Sequence, residues 1–323
     1  MGWPVLVFDI ETIPDVAGMR AVGLGQSAET SALPAGVDTR DADAQTWGAW
    51  QAERVAQGKS DMVPLHLQRV LVISCVFRNA QGLKVRSFVD HDGRSEGQVI
   101  QSFFQAIERH SPQLVSWNGG GFDLPVLHYR GLIHGVEASR YWDMGDGGDH
   151  DSREFKWNNY ISRYHTRHLD LMDLLAMYQP KNNAPLDAMA KLCGFPGKLG
   201  MSGAEVYPAW LRGEVETIRQ YCETDVLNTY LLYCRYQTMR GGFTPDEYAA
   251  EMAFVRAHLQ AKVDATLAAL VTTPDEIPEN GEPGVADASF MVDAPNAMPA
   301  PPQRANGAAH AASHWVEYLA AWA

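Results

Sequence analysis

Residues 4–12 read Pro4-Val5-Leu6-Val7-Phe8-Asp9-Ile10-Glu11-Thr12, an apolar run that closes on two acids one residue apart. The run from Pro4 to Ile10 is short and rich in Val, Leu and Phe, so it predicts a buried first strand bounded by the polar break at Glu11-Thr12. Side chains alternate across a strand, so Asp9 and Glu11 face the same side and two carboxylates converge on one point. Buried together they raise each other's pKa, whereas a divalent cation keeps both anionic. Taken alone, such a pair is common and reads more often as a strand end with two solvated acids.

Downstream of this strand, residues 14–66 turn to Gly, Ala, Ser and Asp around a helical stretch at Ala42–Val55, the profile of an insertion rather than of core. Arg69–Arg78 and Leu83–Asp90 are β-rich and flank Asn79-Ala80-Gln81-Gly82, which predicts an antiparallel hairpin. Apolar residues at helical spacing over Ser95–His110, a strand over Gln113–Trp117 and a helix over Leu124–His134 come next. A polar loop over Gly145–Asn159 leads to a short strand running into a helix at His168–Leu175. Helices follow over Leu186–Cys193 and Glu214–Met239, the second with an apolar face. This order predicts an α/β fold with a mixed sheet flanked by helices.

The chain divides at about residue 270. Residues 271–323 shift to Pro, Ala, Asn, Gly and acids, a tail too poor in large apolar groups to fold on its own and expected to be disordered. Its last stretch, His314–Trp322, regains aromatics and reads as a short amphipathic helix, either a docking peptide for a protein partner or a loosely attached end. Cutting the chain after Leu270 is therefore expected to leave any catalysis of residues 1–270 intact.

The 323 residues are 46% hydrophobic, enough for a sizeable core, and carry a formal charge of −13. That sign excludes holding duplex DNA by bulk electrostatics, so any nucleic-acid contact is local. The four cysteines, Cys75, Cys193, Cys222 and Cys234, form no C-x-x-C pair and read as buried thiols rather than a zinc site. The N-terminal apolar stretch is too short to span a bilayer and lacks a charged leader, so the expectation is a cytoplasmic location with no membrane partner.

Two further segments carry acids in suggestive settings. Trp117-Asn118-Gly119-Gly120-Gly121-Phe122-Asp123 leads a strand through three glycines to a helix N-terminus, where an acid is stabilised and available as a ligand. The plain alternative for Asp123 is a helix cap. In Tyr221-Cys222-Glu223-Thr224-Asp225 the Tyr221 hydroxyl and the Asp225 carboxylate, four residues apart, share one helical face.

Asp9-x-Glu11, Asn118-x-x-x-Phe122-Asp123 and Tyr221-x-x-x-Asp225, in that order, resemble the three exonuclease motifs of the DnaQ-like (DEDDy) 3′→5′ exonucleases of the ribonuclease H-like superfamily. The likeness is closest to predicted bacterial exonucleases related to the proofreading domain of family-B DNA polymerases. It is supported by Phe8-Asp9-Ile10-Glu11-Thr12-Ile13-Pro14 and His168-Leu169-Asp170-Leu171-Met172-Asp173-Leu174-Leu175, and it covers residues 1 to about 240. The resemblance implies a ribonuclease H-like sheet of three antiparallel strands followed by parallel ones. It implies that Asp9, Glu11, Asp123 and Asp225 hold two Mg²⁺ or Mn²⁺ ions roughly 4 Å apart, with Tyr221 orienting the attacking water. Thr12, Asn118 and Phe122 become candidates for binding the terminal nucleotide, single-stranded DNA being favoured and RNA allowed. Asn118 as a turn residue and Phe122 as core packing are the bland alternatives. Asp170 is a strand-end cap or an outer acid, and Lys156, Arg163, Arg167, Lys181 and Lys198 are candidate phosphate contacts. The rival reading is a non-catalytic binding or interaction module that keeps the nuclease fold.

Overall fold

Strand β1, Val5–Pro14, is the spine of a five-stranded sheet of order β3-β2-β1-β4-β5. The computed structural model describes residues 4–24, 40–60, 62–146, 153–271 and 306–322, so parts of the 14–66 segment, the 145–159 loop and the tail lie outside the described residues. β2 (Gln68–Asn79) and β3 (Gly82–Val89) form the expected hairpin, Asn79 pairing with Gly82 across a two-residue turn. β1 runs antiparallel to β2, while β4 (Gln113–Ser116) and β5 (His168–Asp170) run parallel to β1 and to each other. The mixed sheet, three antiparallel strands and then parallel ones, is the predicted one.

One boundary differs. β1 does not stop at Ile10 but continues to Pro14, because β2 is long enough to pair with it through Gln68. The polar residues that read as a break find partners inside the strand pair: Thr12 donates its hydroxyl to Gln68 Oε1 at 2.9 Å. The register slips by one residue between Glu11 and Thr12, leaving Leu71 of β2 as the extra residue of a bulge.

Alternation along β1 sorts its side chains into two cores. Leu6, Phe8 and Ile10 pack with Phe103, Ile107, Leu124 and Leu127 of helices α3 (Glu96–His110) and α4 (Asp123–His134). Val5 and Val7 face the opposite side, toward Val226, Leu227 and Tyr230 of the 25-residue helix α8 (Val215–Met239). Between α4 and α8 the chain forms α5 (Leu171–Leu175), α6 (Leu186–Leu192) and α7 (Val206–Leu211). The 14–66 segment contributes α1 (Val16–Ala21) and α2 (Arg40–Ala56).

Helix α8 is buried on nearly all sides from Ile218 to Cys234, not on one face only. The side away from the sheet is covered by α9 (Pro245–Val271) and by α10 (Asn306–Ala321); Trp315 and Tyr318 of α10 and Trp322 just after it enter the same core. The aromatic face that a docking peptide would offer to a partner is thus turned into this chain's own core. No helix among the described residues is long and apolar enough to cross a membrane.

Candidate active site

The parallel pairing of β1 with β4 ends at Val7↔Val115, so Asp9 and Glu11 lie on a stretch of β1 that has lost its neighbour on that side. A cleft at the carboxyl end of parallel strands is where an open α/β sheet presents its ligand groups. Ile10, beyond the last β4 pair, donates its backbone N–H to Asp123 Oδ1 at 3.1 Å, which ties the start of α4 to the strand between the two acids. Asp123 reaches this point because the preceding loop folds tightly. Asn118 takes a left-handed φ of 69°, and a Cβ on Gly119 would meet Ser116 Oγ at 2.3 Å, so only glycine fits there.

The carboxylates converge from three parts of the chain. Asp9 and Glu11 offer oxygen atoms within 4.8 Å of each other. Burial first, and then the charges of Asp123 and Asp225, push the Asp9 carboxyl well above the usual carboxylate range. Glu11 is raised in the same way by burial and by Asp9 and Asp225. Asp123 rises to about 7, chiefly through burial. Asp225 is raised by burial against the opposing pull of Lys198. Asp9 and Glu11 each feel the charges of both Asp123 and Asp225, so the four carboxylates interact.

Tyr221 and Asp225 share one face of α8, and both meet Lys198. The Lys198 ammonium lies 2.7 Å from Asp225 Oδ2 and also donates to the Tyr221 hydroxyl. Burial and the neighbouring carboxylates push the Tyr221 phenol far up, so it stays protonated. The other oxygen of Asp225, Oδ1, is buried with no hydrogen-bond partner. A buried orphan carboxylate oxygen is costly unless something electropositive meets it.

This donor set fits a divalent cation. It offers hard carboxylate oxygens in excess of the single ammonium beside them, the chemistry Mg²⁺ or Mn²⁺ prefers. Cys222 Sγ is close enough to Asp9 and Glu11 to be counted as a third ligand, but its surroundings argue otherwise. Burial and the adjacent acids push the thiol up, it donates to the Asp9 carbonyl at 3.5 Å and to Asp9 Oδ2 at 3.7 Å, and its soft sulfur suits a hard cation poorly.

The candidate nucleotide contacts divide between two cavities. Thr12 and Phe122 line one of 680 Å³ together with Glu11, and Trp47 and Gln51 of α2 with Tyr207 of α7 form its opposite wall. Asn118 lines a neighbouring cavity of 540 Å³ instead. Asp170 is a cap: its carboxylate accepts from the backbone N–H groups of Asn118 at 3.0 Å, Gly120 at 2.8 Å and Asp173 at 3.2 Å.

Of the candidate phosphate contacts, only Lys198 stands among the acids. Arg163 pairs with Asp173. Arg167 is buried, donates to the Asn158 carbonyl at 2.7 Å and packs on the Phe155 ring, a structural post. Lys156 and Lys181 are exposed. Sequence reasoning places neither Lys198 in the acid cluster nor the α2 wall beside Glu11. Lys198 carries no sequence signal of its own; its place is set by its loop, where Gly197 has φ +74° and a Cβ would sit 2.5 Å from Asp187 Oδ1.

Comparison with known proteins bears on the family and enzyme class. A family described as predicted 3′→5′ exonucleases related to the exonuclease domain of PolB matches residues 60–271, about two thirds of the chain. The chain belongs to that family, and its fold and enzyme class are those of a PolB-like 3′→5′ exonuclease domain. The catalytic polypeptide of DNA polymerase epsilon from Saccharomyces cerevisiae is 27% identical over 156 residues, 46% of this chain. Its counterpart in Dictyostelium discoideum is 27% identical over 146 residues, 44% of this chain. The matched part is about 6% of the length of each of these relatives. The family match begins after Asp9 and Glu11, so the place of those two acids rests on the geometry of β1.

Proposed function

We propose that this chain removes nucleotides one at a time from the 3′ end of a nucleic acid, single-stranded DNA in the first instance, at a two-metal centre formed by Asp9, Glu11, Asp123 and Asp225. The observation that carries this is the convergence of four carboxylates, those of Glu11, Asp123 and Asp225 buried and that of Asp9 half-buried, each raised by burial or by its neighbours, around one ammonium and one orphan oxygen. When bound there, Mg²⁺ or Mn²⁺ supplies a lowered pKa for the attacking water and neutralises charge on the departing 3′ oxygen.

The chain's own residues do the rest. Tyr221, held protonated, points a hydroxyl at the position of the water and orients it. Lys198 holds Tyr221 and Asp225 in one arrangement and places a positive charge beside the scissile phosphate. Glu11, Thr12 and Phe122 border the cavity that takes the terminal nucleotide, Phe122 offering its ring to the base. That cavity lies in the ~300–1,000 Å³ range of ligand clefts, suited to a frayed end rather than a duplex. Asn118 acts at one remove, by shaping the loop that delivers Asp123. The net charge of −13 agrees with a locally bound single strand.

The test uses 5′-labelled single strands of DNA and of RNA with Mg²⁺, Mn²⁺ or EDTA, beside Asp9→Ala. A ladder shortened from the 3′ end, abolished by EDTA and by the substitution, is expected, with DNA degraded faster than RNA. Shortening that persists in EDTA or in Asp9→Ala contradicts the proposal.

A further inference from the structure

Helix α10 is at the far end of the chain from Asp9, and composition places it outside the catalytic unit. Its inward face nevertheless reaches the helix that carries Asp225. Tyr318 is fully enclosed and donates its hydroxyl to Asn228 Oδ1 at 2.8 Å. Asn228, equally enclosed, follows Asp225 by three residues and so lies on nearly the same face of α8. Its side chain clamps a single residue of the α6–α7 loop. The Asn228 amide donates to the Gly197 carbonyl at 2.8 Å, and its oxygen accepts the Gly197 N–H at 3.2 Å.

The next residue is Lys198. Its backbone N–H donates to Asp187 Oδ1 at 2.7 Å, and its ammonium holds Asp225 and Tyr221. A hydrogen-bonded line therefore runs from the C-terminal helix to the acid cluster: Tyr318, Asn228, Gly197, Lys198, Asp225. A second tie lies on the same helix pair, where His314 Nε2 is 3.3 Å from Glu223 Oε2. Buried polar lines of this kind hold one geometry when every member is satisfied and lose it when one is removed.

We propose that Tyr318 is a positioning residue of the nuclease site, fixing through Asn228 and Gly197 where Lys198 holds Asp225 and Tyr221. The inference rests on the reading of the site given above. It makes residues 306–322 part of the working enzyme rather than an appendage, and it predicts that their loss is felt in the chemical step.

The experiment is a double-mutant cycle on the full chain, read as the single-turnover rate of 3′ shortening of a 5′-labelled DNA strand with Mn²⁺ and enzyme in excess. Tyr318→Phe removes one hydroxyl and keeps the ring, so the protein folds with an unfolding midpoint within about 4 °C of the wild type. Its rate falls about 3- to 10-fold, the effect of one hydrogen bond, with strand affinity unchanged. In a Lys198→Met background the same substitution changes the rate by less than about 2-fold, because the line it acts through is already cut. A wild-type rate for Tyr318→Phe, or an equal loss in both backgrounds, overturns the positioning role while leaving the nuclease reading in place. Absence of any 3′ shortening by the unmodified chain sinks the nuclease reading itself, and this proposal with it.

Discussion

Glu223 and Asp225 stand two residues apart on the same helix, both buried, and their carboxyls are driven in opposite directions. Glu223 falls to about 2: burial works against the charge, but His314, Arg219 and Lys262 outweigh it. Ser87 adds a hydrogen bond at 2.8 Å. Asp225 rises, because burial outweighs its one cation and one of its oxygens has no partner. The helix places both residues equally well, so the difference lies in the company each keeps. A buried acid whose partners are all supplied by the chain is part of the framework. One left short of partners among other acids is waiting for a ligand.

The contrast breaks most sharply at the two acids themselves. Asp225→Asn keeps the shape and removes a ligand charge, and should lower the rate of 3′ shortening by about 10³-fold with little loss of stability. Glu223→Gln should do the reverse. It leaves Arg219 and Lys262 facing a neutral amide, costs about 2 kcal/mol of stability and lowers the unfolding midpoint by roughly 4–8 °C. Its rate, corrected for folded fraction, should stay within a few-fold of wild type. Calorimetry and the strand assay on both variants separate the outcomes; a stability loss in Asp225→Asn larger than in Glu223→Gln would invert the assignment.

Tyr221→Phe is a smaller perturbation of the same centre. Metal affinity should be retained, since no carboxylate is touched, while the chemical step slows by about 10²-fold. Titration calorimetry with Mn²⁺, set beside single-turnover rates, distinguishes this from a general loss of the site.

The two kinds of buried acid also predict opposite pH behaviour of stability. Asp123 illustrates the first kind: with its carboxyl raised from 3.8 to about 7, its contribution is fully present below the unfolded value and lost as pH rises through 7. Glu223, lowered from 4.5 to about 2, contributes above its unfolded value and loses that only toward pH 2. Four histidines with lowered pKa, His110, His128, His168 and His258, oppose the first trend below pH 6.5. The comparison is therefore wild type against Asp123→Asn in EDTA, where the histidines are common to both. The wild-type midpoint should fall relative to the variant between pH 5.5 and 8, by a few degrees, and Mg²⁺ or Mn²⁺ should recover it. A constant difference across that range contradicts the pKa ordering.

Much of this centre is legible from sequence because its geometry follows from fixed periods. A strand repeat of two puts Asp9 and Glu11 on one face, and a helical step of four puts Tyr221 with Asp225. The sheet order can be read for the same reason, from the hairpin turn at Asn79–Gly82 and the later alternation of strands and helices. The end of β1 escapes such a reading because its polar residues are satisfied across the sheet, Thr12 by Gln68, and such a partner has no local signature. Lys198 reads in sequence only as one surface cation among several, since its place depends on a loop held by Asp187 and Asn228. The burial of α8 on its outer side depends on α9 and α10, which arrive from far along the chain.

The central claim is that Asp9, Glu11, Asp123 and Asp225 hold a pair of hard cations. Anomalous diffraction from crystals of the full chain soaked in Mn²⁺ tests it most directly. Two peaks should appear, bridged by these carboxylates, with one meeting Asp225 Oδ1 and neither bonded to Cys222 Sγ. An acid cluster without manganese at saturating concentration, or manganese held by the thiol, would contradict the account.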